Sequence, residues 1–120
     1  MKRSTPKPVV WLVDTRSTLR GFPQDVQDEI GYGLYLAQIG EKYFRARPLK
    51  GFGPGVLELV SDHRGDTYRG VYTVRFADGV YVLHAFQKKS KKGGETPQSE
   101  VELIRQRLRR ATELHLQRGD

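Results

Sequence analysis

Residues 68–89, Y-R-G-V-Y-T-V-R-F-A-D-G-V-Y-V-L-H-A-F-Q-K-K, constrain the fold more than any other stretch of the chain. Two alternating runs, Tyr68 to Ala77 and Val80 to Lys89, flank Asp78-Gly79. Alternation is the pattern of strands, and Asp-Gly favours a type I′ hairpin turn, in which both central residues need positive φ. A two-residue turn makes Ala77 and Val80 opposite neighbours. The ladder then sets Phe76 against Tyr81, Val74 against Leu83 and Tyr72 against Ala85 on the core face. On the other face it sets Arg75 against Val82, Thr73 against His84, Val71 against Phe86 and Arg69 against Lys88. That second face gathers a histidine, an aromatic ring and two cations within cross-strand spacings of about 5 Å. It is the expected working surface.

The rest of the chain is enough to complete one domain around this hairpin. At 120 residues it can bury a core without staples, and it contains no cysteine, which excludes disulfides, thiolate chemistry and cysteine-bound zinc. His63, His84 and His115 are scattered and make no metal-ligand pattern, although carboxylates remain able to bind a hard cation. No metal or other cofactor is expected. The net charge of +7 points to nucleic acid, an acidic membrane surface or an acidic protein as partner. A basic amphipathic anchor with Trp or Phe on its apolar face is missing, which makes a membrane the weaker choice. Nothing resembles a signal peptide or a membrane span, so a cytoplasmic protein is expected.

Residues 1–8 read as a flexible arm, with Pro6 and Pro8 bracketing Lys7, and residues 9–118 as the single domain. Val9 to Val13 is a short apolar run expected as a strand buried on both faces. Asp14 to Gly21 reads as a loop or one helical turn. After Pro23, Val26, Ile30, Leu34 and Ala37 recur at helical spacing, and Gly40 is a stop. Gly31 and Gly33 each cost this helix about 1 kcal/mol relative to alanine, unless they allow close packing on the sheet. Residues 41–55 form a basic, glycine-rich connection, and Val56 to Val60 is another strand. His63 to Asp66 turns the chain into the hairpin. Thr96-Pro97 reads as N-cap and first helical residue, followed by an apolar stripe at Val101, Ile104, Leu108 and Ala111. The order strand, helix, three strands, helix predicts a small α+β domain, an antiparallel sheet of about four strands with helices packed on it.

The cationic residues Arg47, Lys50, Arg69, Arg75, Lys88, Lys89, Lys91 and Lys92 are either a solvated basic surface or a nucleic-acid footprint. Two features favour the second. Arg69 and Lys88, predicted to face each other, would repel unless an anion sat between them. Phe86 lies in the same hairpin, where bases could stack beside phosphate ligands. His84 is either a general acid or base or a packed, hydrogen-bonded histidine between Val82 and Phe86. An even-length turn after Val60 puts Glu58 on Arg69's face, as a structural salt bridge or as the partner that orients the arginine.

Four stretches together resemble the RelE/HigB superfamily of type II toxins, in its phage-derived HigB-like branch. They are P-L-K-G-F-G-P-G-V-L-E-L at 48–59, Y-R-G-V-Y at 68–72, V-L-H-A-F-Q-K-K-S at 82–90 and T-P-Q-S-E-V-E-L-I-R-Q-R at 96–107. The resemblance runs from Val9 to Arg110 and implies a RelE-like domain. It also implies a ribosome-dependent, metal-independent endoribonuclease that cleaves mRNA in the A site. The implied partner, besides ribosome and mRNA, is a helix-turn-helix antitoxin that joins the toxin in a hetero-oligomer. By the same resemblance Arg69 stabilises phosphate charge and Lys50 activates the 2′-OH. Lys88 and Lys89 are the family's basic pair, and His84 or Lys89 supplies the leaving-group proton. Arg47, Arg75, Phe86, Lys91 and Lys92 would complete the RNA contacts. The tyrosine that many RelE members carry after the basic pair has no equivalent in S-K-K-G-G-E-T. A non-catalytic RNA- or protein-binding regulator of the same fold is the alternative.

Overall fold

The structure, a computed structural model, describes residues 5–88 and 96–118. Its elements are β1 (Val9–Trp11), α1 (Thr15–Arg20), α2 (Gln24–Gln38), β2 (Ala46–Pro48), β3 (Val56–His63), β4 (Asp66–Thr73), β5 (Val80–Lys88) and α3 (Gln98–Arg118). The class is α+β as expected, but the sheet is mixed and has five strands, in the order β1-β5-β4-β3-β2. The expected four-strand antiparallel sheet is corrected at both edges. β1 runs parallel to β5, satisfying its edge through Val80 N–H to Pro8 O and Leu12 N–H to Val82 O. At the far edge β2, hidden in the basic connection, pairs antiparallel with β3. The β1 run is also half-buried, not buried on both faces, and it ends two residues early, with Val13 at φ 53° and 74 % exposed.

Helices cover both faces of the sheet. Leu19 of α1 and Val26, Ile30, Leu34 and Ala37 of α2 pack on Leu59, Tyr68, Tyr72 and Val82. Ile104 and Ala111 of α3 pack on Val56, Val71, Tyr81, Leu83 and Phe86 of the opposite face. The close approach of α2 explains Gly33: a Cβ there would lie 2.0 Å from Leu59 Cδ1. Gly31 has no such neighbour.

The hairpin register differs from the expected one. The tight two-residue turn is not Asp78-Gly79 but Arg64-Gly65, between paired His63 and Asp66, with φ of 51° and 85°. That sign pattern is the type I′ requirement. In the second hairpin β4 stops at Thr73, which pairs with Tyr81, and the chain takes six residues to return. Other contacts outcompete the tight turn. The Thr73 hydroxyl and the Val74 N–H both donate to Gly55 O, at 2.7 and 2.8 Å, and draw the end of β4 toward the glycine-rich loop. The Asp78 carboxylate accepts from Tyr81 Oη at 2.8 Å and faces His115 and Arg118 of α3. A bulge then sets Tyr72 against Val82 but Val71 against His84, leaving Leu83 as the extra residue. Beyond it Arg69 pairs with Phe86 and Lys88 with Thr67, so Arg69 and Lys88 are not opposite each other. Like-charge opposition in the ladder therefore gives no reason for an anion between them.

Candidate functional site

The bulge and the parity of β3 decide which side chains meet α3. Arg69 and Val71 share its face of β4, and Glu58, opposite Val71, shares it on β3. Arg69 Nη1 donates to Glu58 Oε2 at 3.0 Å, and both side chains are buried, 4 % and 6 % exposed. Thr96 Oγ1 donates to the same carboxylate oxygen at 3.0 Å. A charge pair taken out of water persists only with good geometry and further hydrogen bonds, which the threonine supplies. The Thr96 hydroxyl proton is thus committed to Glu58, and α3 itself begins at Gln98. The first carbonyl of the helix is that of Pro97, which accepts from Glu100 and Val101 N–H.

In front of this pair opens a groove of about 550 Å³ between the β2–β3 edge and the start of α3, lined by Arg47, Lys50, Phe52, Glu58, Thr96 and Val101 among others. Arg47 lies opposite Glu58 across the β2–β3 pair. Arg47 and Lys50 are exposed at the rim, and Arg105 of α3 sets its guanidinium 4.9 Å from the centre of the Phe52 ring. The groove combines a carboxylate, a hydroxyl, two rim cations and an aromatic wall. Such a set can hold a phosphodiester and move a proton beside it. Among the described residues no group of three or more His, Asp or Glu gathers to hold a metal ion.

The other sequence candidates lie elsewhere. Arg75 is spent on the loop, donating from Nε to Pro54 O at 3.1 Å and from Nη2 to Phe52 O at 2.5 Å. Lys88, the last residue of β5, is 6 % exposed, a buried cation and not part of a solvated basic surface. His84 and Phe86, both 7 % exposed, stack on each other beneath α3 with ring centres 5.1 Å apart. Arg107 Nη1 lies 2.8 Å from His84 Nδ1 and donates to Leu83 O at 3.2 Å. A guanidinium only donates, so Nδ1 accepts and the ring proton is on Nε2, which faces Glu100 Oε1 at 2.5 Å. Both nitrogens of His84 are thus held by α3. Lys89, Lys91 and Lys92 lie outside the described residues.

Sequence reading did not find Thr96 or Phe52 in the groove, nor Glu100 and Arg107 as the partners of His84. Glu100 and Arg107 did carry a signal: seven residues apart, two turns, they share one helical face. Thr96 was masked by its resemblance to a cap.

Among family models, that of the phage-derived protein Gp49-like family (DUF891) matches residues 17–109. No curated protein and no solved structure matches the chain.

Proposed function

The chain belongs to the phage-derived Gp49-like family, and from that membership and the chemistry of the groove we propose that it is the toxin of a type II toxin–antitoxin system. In this reading it is an mRNA interferase of the RelE/HigB kind, an endoribonuclease acting on the translating ribosome in the A site. The observation that carries it is the Glu58–Arg69–Thr96 cluster at the back of a groove with Arg47 and Lys50 at its rim. Arg47 and Lys50 hold the scissile phosphate and offset the charge on its non-bridging oxygens. Glu58, oriented by Arg69 and Thr96, takes the 2′-OH proton as O2′ attacks phosphorus. The P–O5′ bond breaks, the Lys50 ammonium protonates the departing O5′, and the products are a 2′,3′-cyclic phosphate and a 5′-OH. Arg69 acts here through Glu58 as a positioning residue, since it is buried behind the carboxylate. The partners are the ribosome with its mRNA and a cognate antitoxin.

Induction in cells followed by primer extension on a translated message tests this. Wild type is expected to arrest growth and leave ribosome-dependent cuts. Glu58→Gln is expected to lose about a hundredfold or more in cleavage, the usual worth of a general base. Arg69→Ala is expected to fall similarly, and Lys50→Ala to lose cleavage while keeping its thermal midpoint. Equal arrest by wild type and Glu58→Gln, or no ribosome-dependent cuts, sinks the enzyme reading. The alternative, a non-catalytic RNA- or protein-binding regulator, is favoured by one observation: Glu58 already shares its charge with a buried arginine. Ribosome binding without cuts decides for it.

A further inference from the structure

On the side of the molecule away from the groove, α2 and the loop after it carry a run of exposed aromatic rings. Tyr32 is 53 % exposed, Tyr35 49 % and Phe44 82 %. They form one continuous surface: ring centres are 6.4 Å apart for Tyr32–Tyr35, 5.8 Å for Tyr32–Tyr43 and 4.9 Å for Tyr43–Phe44. Tyr43 is fixed from below, donating its hydroxyl to Glu29 Oε2 at 2.8 Å, and Glu29 also binds Ser61 and Arg45. The loop half of the cluster is therefore tied to α2 through Tyr43 and Glu29, although the fold does not need the outer rings. Contiguous apolar surface of this kind, rich in Tyr and Phe, is characteristic of interfaces with other proteins.

The charge around the rings selects the occupant. In a chain of net charge +7, α2 has Asp25, Asp28 and Glu29 and neither lysine nor arginine. With the following loop, residues 24–45 hold four carboxylates (Asp25, Asp28, Glu29, Glu41) against two cations (Lys42, Arg45). Arg45 and Glu29 pair with each other, and Arg45 also with Asp62, which leaves Asp25, Asp28 and Glu41 against Lys42. An RNA strand would be repelled by this local balance, and a second copy docking α2 on α2 would oppose like charges. A guanidinium or ammonium, by contrast, gains from tyrosine faces and carboxylates together. We propose that the Tyr32–Tyr35–Tyr43–Phe44 surface docks a protein segment bearing both arginine or lysine and apolar side chains, while the groove on the other face of the sheet stays open. The two surfaces are separated by the sheet, because α2 packs on the Leu59–Tyr72 face and the groove lies on the face of Glu58 and Val71. Docking here places the protein on a partner without occluding the groove. This inference does not rest on the nuclease reading and is tested without cleavage.

The probe is a synthetic amphipathic peptide of leucine, lysine and arginine, titrated into the full chain and followed by tyrosine fluorescence and amide NMR shifts. Binding is expected at Tyr32, Tyr35 and Phe44. The exposed double substitution Tyr32→Ser with Phe44→Ser is expected to weaken it about tenfold or more, with the thermal midpoint unchanged. Asp28→Lys, which leaves every ring in place, is expected to weaken it as well, and added salt to do the same. A matched peptide with glutamate for its cations is expected not to bind. The proposal is overturned if the double variant binds the basic peptide as wild type does, or if the acidic peptide binds equally well. It is also overturned if a single-stranded oligouridylate shifts these same residues, or if they instead mediate dimerisation seen as a concentration-dependent mass.

Discussion

Tyr72 shows what burial does to one polar atom. It is 1 % exposed in the layer under α2, and its hydroxyl meets no hydrogen-bond partner among the described residues. Burial pushes its pKa up to about 12 from 10.0. The raised value means that its contribution to stability is complete below pH 10 and is lost as pH rises through about 12. Leaving a buried hydroxyl unsatisfied costs about 1–3 kcal/mol, so Tyr72→Phe is expected to match or exceed wild type by about 1 kcal/mol in urea unfolding and to blunt the alkaline transition. A loss of more than that would mean the hydroxyl has a partner after all. Lys88 leads to the opposite expectation. As a 6 % exposed cation it should not be removable without cost, and Lys88→Ala is expected to lower the unfolding midpoint measurably, where a surface lysine would not. Strand parity made part of this legible: Tyr72 falls on the core face, and Glu58 reaches Arg69 because the turn between them is even. The surroundings of His84 were not legible, because Glu100 and Arg107 arrive from a helix that no local pattern places over that strand.

At the scale of elements, the turn that closes a hairpin depends on what else its residues can bind. Asp78-Gly79 has the better turn chemistry, yet Arg64-Gly65 makes the tight turn, and it does so in open space: a Cβ at Gly65 would meet no atom within 4 Å. A Cβ at Gly79 would instead meet Pro8 O at 3.1 Å, where β1 comes in beside β5. Sequence alternation placed both strands of this hairpin but not this competition, so every cross-strand pair expected in it is misplaced: the longer return shifts the register by three residues, and the bulge at Leu83 gives one of them back. The two glycines of α2 separate helix propensity from packing. Gly31→Ala adds a side chain where no atom lies within 4 Å and is expected to stabilise by about 1 kcal/mol. Gly33→Ala drives a methyl into fully buried Leu59 and is expected to destabilise by about 1–3 kcal/mol. Thermal unfolding of the two single variants checks both signs. A stabilised Gly33→Ala would mean that Leu59 can swing aside freely.

Across the whole molecule, α3 is a strap fastened at both ends, and its two fastenings differ in kind. Its start is tied to the groove through Thr96 and Glu58, next to the buried Arg69. Its end is held by one carboxylate: Asp78 Oδ1 lies 2.9 Å from His115 Nδ1, Asp78 Oδ2 lies 3.2 Å from Arg118 Nε, and the His115 ring stacks on Phe76 at 4.6 Å. Burial works to raise the Asp78 pKa, but the hydrogen bonds from Tyr81 and His115 outweigh it and hold the carboxyl below 3.8. A carboxyl depressed in the folded state stabilises fully above its ordinary value, and the stabilisation disappears as pH falls through the lowered one. Acidification below about pH 4 is therefore expected to release the last turns of α3 before the sheet unfolds, seen as early loss of amide-exchange protection near His115. Net charge offers a rival cause, since a chain already at +7 repels itself more as its carboxylates protonate. Two controls separate them. Self-repulsion is relieved by salt, whereas loss of the Asp78 contacts is not restored by it. Asp78→Asn is expected to show the exposed helix end at neutral pH and little further change on acidification. If that variant keeps the wild-type acid transition, the fastening lies elsewhere and general repulsion is the better account.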